Sequence, residues 1–75
     1  DIDFGGNNMY KQISRLTNGK NLPMVAKSAD NENVIIERGN DGFQDFFKVT
    51  TAQHNGWNRI NTYYADGSAD ETYSR

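Results

Sequence analysis

The 75-residue chain carries ten acidic and eight basic residues, for a formal charge of −2, with one histidine and no cysteine. This composition excludes a disulfide framework and a thiolate metal site, and it offers no bulk positive charge for nucleic acid. A single domain, 1–75, is all the length supports, and such a domain buries only about 60% of the surface its unfolded chain exposes. The apolar core, or a partner subunit, must then supply the stability.

Residues 1–6 hold two glycines and no periodicity, and read as a flexible N-terminal segment. A helix is expected over 7–18. Asn7 or Asn8 would cap it, Met9, Ile13 and Leu16 would form its apolar stripe, and Asn18-Gly19 would close it in a left-handed turn. Three turns are too few to be stable alone, so this helix must dock on something. From Leu22 the period changes to two. Strands are expected over 22–27, 34–38, 43–51 and 57–64, and a weaker fifth over 68–74, with Pro23 placing the first at an edge. The short connections are rich in Asn, Asp and Gly, and Asn55-Gly56 and Asp66-Gly67 read as two-residue hairpin loops. The predicted fold is α+β: one N-terminal helix packed on an antiparallel meander of four to five strands over 22–74, either open or curled into a small barrel.

Alternation along the strands divides their side chains between two faces. Val34, Ile36, Phe47, Val49, Ile60 and Tyr64 form the set expected beneath the helix. The other set is Ile35, Glu37, Phe46, Lys48, Trp57, Arg59 and Tyr63, an aromatic face with two cations. Three readings of it compete: partial core in a curled sheet, an interface to a second copy or to another protein, and a stacking platform for single-stranded nucleic acid. Two cations offset by Glu37 provide little counterion release, which favours a protein partner over nucleic acid.

Enzymatic chemistry finds no support along the chain. His54 has no orienting partner in any motif, the serines lack a G-x-S-x-G context, and the glycine pairs do not lie in a phosphate-binding loop. Asp66, Ser68, Asp70 and Glu71 lack the terminal glutamate spacing of a calcium loop. Neither a metal nor a cofactor is expected. Asp41, Asp45, Asp66, Asp70 and Glu71 could instead form acidic patches of the kind that imitate phosphates in a basic groove.

The segment from Thr50 to Gly67 (TTAQHNGWNRINTYYADG) resembles the tails of small uncharacterised proteins from phages and mobile elements of Gram-positive bacteria. The small size, the absence of cysteine and the abundant Asn and Asp are similar to those of anti-CRISPR inhibitors. The resemblance implies a small inhibitor or accessory protein and carries no catalytic residue with it. The expectation is therefore a cytoplasmic, non-enzymatic protein-binding module acting on a larger host protein such as a nucleic-acid-handling machine. Its binding residues would be Trp57, Arg59, Tyr63, Phe46, Lys48, Asp66 and Asp70. Single-stranded nucleic-acid binding and homodimerisation are the alternatives, and no membrane association is expected.

Overall fold

Met9, Ile13 and Thr17 recur every four residues, and they are the buried residues of α1, Met9–Thr17. The computed structural model describes residues 9–28 and 30–75, without the His54 side chain, so the expected segment 1–6 and the caps Asn7 and Asn8 lie outside the described residues. Thr17 can be buried because its hydroxyl donates to the Ile13 carbonyl at 2.8 Å, one turn back. Leu16, expected on the stripe, packs at its margin. The chain leaves the helix through Gly19, at φ 75°, as the Asn18-Gly19 pair predicts.

Five strands follow: β1 (Met24–Lys27), β2 (Asn33–Asn40), β3 (Asp45–Ala52), β4 (Asn58–Tyr64) and β5 (Ala69–Ser74). They form one sheet in the order β1-β2-β3-β4-β5, antiparallel throughout. The sheet stays open, with β1 and β5 as its edges. Across the sheet, Arg59 Nη2 on β4 approaches Glu32 Oε1, beside β2, at 3.9 Å.

The helix covers one face. Ile13 and Met9 meet Val34, Ile36, Phe47, Val49 and Tyr63 there, and these seven residues form the core. Tyr10 adds a tilted ring contact with Phe47 at 5.0 Å, and the Arg38 guanidinium lies 5.2 Å from the centre of the Phe47 ring. Phe47 is thus enclosed by helix, sheet and a cation.

The faces of β2 and β3 are those the alternation predicts, but the face of β4 is reversed. Phe47 stands opposite Tyr63, Val49 opposite Asn61 and Thr51 opposite Arg59, so Tyr63 is core while Ile60 and Tyr64 point away from the helix. Loop length is the cause. Gln53 N donates to Trp57 O at 2.7 Å, leaving the three residues His54–Gly56 in the loop. Asn55 and Gly56 have the positive φ values expected of them, 61° and 79°, but in a loop one residue longer than a two-residue hairpin. One residue of register moves every side chain to the opposite face. The Asp66-Gly67 loop is longer in the same way. Tyr64 O accepts from Gly67 N, Tyr64 N donates to Ser68 O, and Gly67 at φ 94° occupies the left-handed position of a three-residue bulged hairpin.

Candidate functional site

The register divides the sequence-derived binding residues between two faces. Arg59 and Tyr63 lie on the helix side, with Tyr73 directly opposite Arg59. Trp57 extends the same row, and Arg75 sits over its ring at 4.7 Å. Phe46 and Lys48 lie on the open face, so the expected single aromatic platform does not form. Tyr63 is buried within the core, and this burial raises its phenol pKa above the ordinary value. Arg59 is half-buried, held toward Glu32.

The open face carries a row across all five strands: Val25, Ile35, Thr50, Ile60 and Thr72. Glu37, Lys48, Thr62 and Asp70 form the next row, followed by Gly39, Phe46 and Tyr64. Phe46 and Tyr64 meet edge to face, with ring centres 5.6 Å apart.

Beyond that last row, the two turns at the same end of the sheet are tied together. Gln44 Oε1, in the β2–β3 turn, accepts a hydrogen bond from Asp66 N, in the β4–β5 turn, at 3.0 Å. Ala65 N also donates to Asp45 O at 3.0 Å. Within the first turn, an Asp41 carboxylate oxygen accepts from the amides of Phe43 and Gln44 at 2.9 and 3.0 Å. Asn40 Oδ1 accepts from Gly42 N at 2.7 Å, while Asn40 Nδ2 donates to Asp45 Oδ1 at 2.8 Å. In the second, Asp66 Oδ1 accepts from Ser68 N and Ser68 Oγ at 2.8 and 2.6 Å. These Asn and Asp side chains supply the hydrogen bonds that a short turn cannot make from backbone alone.

The product of this bonding is Phe43. Expected as the first residue of a strand, it stands instead at the turn apex, 95% exposed. Alternation could not place it there, because the strand begins two residues later, at Asp45. The available signal was the Asn40-Asp41-Gly42 turn chemistry preceding it.

Carboxylates surround this end. The Asp66 charge opposes the ionisation of Asp41, and Asp70, Asp41 and Asp66 raise the Tyr64 phenol pKa after its larger desolvation. The Tyr64 hydroxyl donates to Asp70 Oδ2 at 3.3 Å. Hydrogen bonds from the Phe43 and Gln44 amides hold Asp41 below the ordinary carboxylate pKa, and those from Ser68 do the same for Asp66. Asp41 and Asp66 therefore stay ionised below the usual carboxylate range. Asp66 lies in the β4–β5 turn, whereas Asp70 stands within β5 opposite Thr62 on the open face and Glu71 lies on the helix side opposite Asn61.

On the helix side, a polar recess of about 250 Å³ is lined by Thr51, Arg59, Asn61, Tyr63, Glu71 and Asp30. Among the described residues, no group of three or more His, Cys, Asp or Glu side chains is placed to hold a metal ion, and no helix is long and apolar enough to cross a membrane. What stands out chemically is one exposed aromatic on a hydrogen-bonded turn inside a rim of carboxylates. The molecule is a small α+β protein, one helix on an open five-stranded antiparallel meander. Comparison with protein-family models, with curated proteins and with solved structures gives no match.

Proposed function

We propose that this chain is a non-enzymatic protein-binding module that inserts Phe43 into an apolar socket of a larger protein, with basic residues of that partner meeting the acidic rim. The observation that carries this reading is the exposure of Phe43 on a turn fixed by side-chain hydrogen bonds. An apolar ring fully in water gains nothing for the monomer, whereas a pre-ordered aromatic anchor loses little entropy on docking. Asp41, Asp45, Asp66 and Asp70 would add selectivity and a faster encounter with a basic partner. Together with the resemblance to phage and mobile-element accessory proteins, the rim supports an inhibitor that occupies the basic groove of a nucleic-acid-handling machine. Nucleic-acid binding by this chain loses its main ground, since Trp57 and Tyr63 do not share a face with Phe46 and Lys48.

The test is affinity capture from the native host with the wild-type chain and with Phe43→Ala. A partner recovered by the wild type should be lost at least about tenfold with Phe43→Ala, an effect expected when a central aromatic anchor is truncated. Its on-rate should fall as salt rises. Equal recovery by both chains overturns the assignment of Phe43, because removing so exposed a ring leaves the fold intact.

A further inference from the structure

The two edges of the sheet are protected very differently. β1 is four residues long, follows Pro23 and ends on Lys27, features that discourage pairing with another strand. β5 is six residues long, Ala69–Ser74, with no proline, glycine or lysine and with every residue exposed. Its backbone polarity follows from the hairpin. Tyr64 N donates to Ser68 O at 2.9 Å, so Tyr64 and Ser68 are a hydrogen-bonded pair. Such pairs alternate along an antiparallel ladder, which assigns the next ones to Thr62 with Asp70, Ile60 with Thr72 and Asn58 with Ser74. The N–H and C=O groups of Ala69, Glu71 and Tyr73 therefore point away from β4, toward the open edge.

We propose that this edge pairs antiparallel with β5 of a second copy, around a two-fold axis perpendicular to the sheet, with Tyr73 opposite Tyr73 and Glu71 opposite Arg75. A two-fold of this kind keeps each side chain on its own face, so only residues of the same face stand opposite each other. Three registers then use the centre of the strand. Centring on Glu71 opposes two carboxylates and is disfavoured. Centring on Thr72 sets Glu71 against Tyr73 and Ala69 against Arg75, leaving the charges unmatched. Centring on Tyr73 creates two symmetric Glu71–Arg75 pairs, an aromatic pair on the axis and Thr72 opposite Ser74, each a favourable cross-strand combination.

Geometry within one chain agrees with that register. Glu71 and Tyr73 face the helix side, opposite Asn61 and Arg59, and Arg75 continues their row over the Trp57 ring. The charge order along the edge is thus self-complementary under the two-fold, which selects a second copy over an unrelated strand. The joined sheet would point the two Phe43 turns in opposite directions, leaving both free for partners.

Sedimentation of the full chain at high micromolar concentration and moderate salt tests the proposal. The wild type should sediment at twice the chain mass. Tyr73→Pro removes an amide that points outward, so it should weaken dimerisation at least about tenfold with the circular dichroism of the fold retained. Glu71→Arg should weaken it severalfold, and the double variant Glu71→Arg/Arg75→Glu should restore it. A wild-type monomer at that concentration overturns the proposal, as does a dimer unaffected by both Tyr73→Pro and Glu71→Arg. Failure of the double variant to recover overturns the register. Heterologous strand capture by β5 in place of self-association would appear as a wild-type monomer and counts against the second copy.

Discussion

The tip of the Phe46 ring fills the space above Gly39, its cross-strand partner, so that a Cβ at position 39 would stand 2.5 Å from Phe46 Cζ. An aromatic on one strand thereby covers the bare backbone of the other, and Tyr64 holds the ring from its far side at 5.6 Å. Gly39→Ala must push the ring off this seat and is expected to cost about 1–3 kcal/mol by overpacking. The sign should reverse when the ring is absent. In a Phe46→Ala background the same change meets open space, and Ala is better than Gly in a strand by roughly 0.5–1 kcal/mol. Urea unfolding of the four chains measures the coupling directly, and additive effects would contradict the contact.

Ile35 and Ile36 are chemically identical neighbours on opposite faces. Ile36 is fully enclosed at 0% exposure, beneath the helix, while Ile35 is 44% exposed on the open face. Ile36→Ala is expected to cost about 2–5 kcal/mol through lost burial and a residual cavity. Ile35→Ala should cost under about 1 kcal/mol, because little packing surrounds it. Chemical denaturation of the two variants checks the face assignment, and similar losses at both positions would mean that the open face is covered.

The helix, all five strands and their order follow from apolar spacing and turn residues alone. Which side of β4 meets the helix does not. A two-residue loop at Asn55-Gly56 would have set Phe47 opposite Tyr64 and Thr51 opposite Ile60, the more apolar pairing, and nothing in the strand opposes it. The real loop includes His54, and the face beneath the helix receives Arg59 and Asn61 instead. Hydrophobicity misleads here because the nine-residue α1 is short, about 13 Å at 1.5 Å per residue, and β4 extends beyond it into the polar recess. The exposure of Phe43 is hidden for a related reason: an aromatic beside alternating residues reads as strand unless the Asp41 hydrogen bonds are known.

The reversed face has a direct consequence for Trp57 and Tyr63. Tyr63 belongs to the core at 6% exposure, so Tyr63→Ala should cost about 3–5 kcal/mol, enough to unfold much of a domain this small. Trp57 is 40% exposed, and its replacement by Ala forfeits the Arg75 contact, worth about 0.5–1 kcal/mol at an exposed position, along with some packing. Thermal melts of the single variants should separate the two widely. A folded Tyr63→Ala variant with an unchanged melting temperature would return Tyr63 to the surface.

The two turn carboxylates make stability depend on acid. Asp41 accepts from the Phe43 and Gln44 amides and Asp66 from Ser68, and both have folded pKa values below the ordinary 3.8. A depressed folded pKa means that the unfolded chain binds protons first as pH falls. The stabilisation from these groups is therefore fully present above the unfolded value and is lost as pH drops through the folded one. Replacing both with Asn keeps an acceptor of the same shape but removes the titration. The wild type should lose melting temperature between about pH 5 and pH 2, and the double variant Asp41→Asn/Asp66→Asn should lose less over that interval while starting lower at neutral pH. Parallel curves for the two chains would show that these hydrogen bonds do not favour the ionised carboxylates of Asp41 and Asp66.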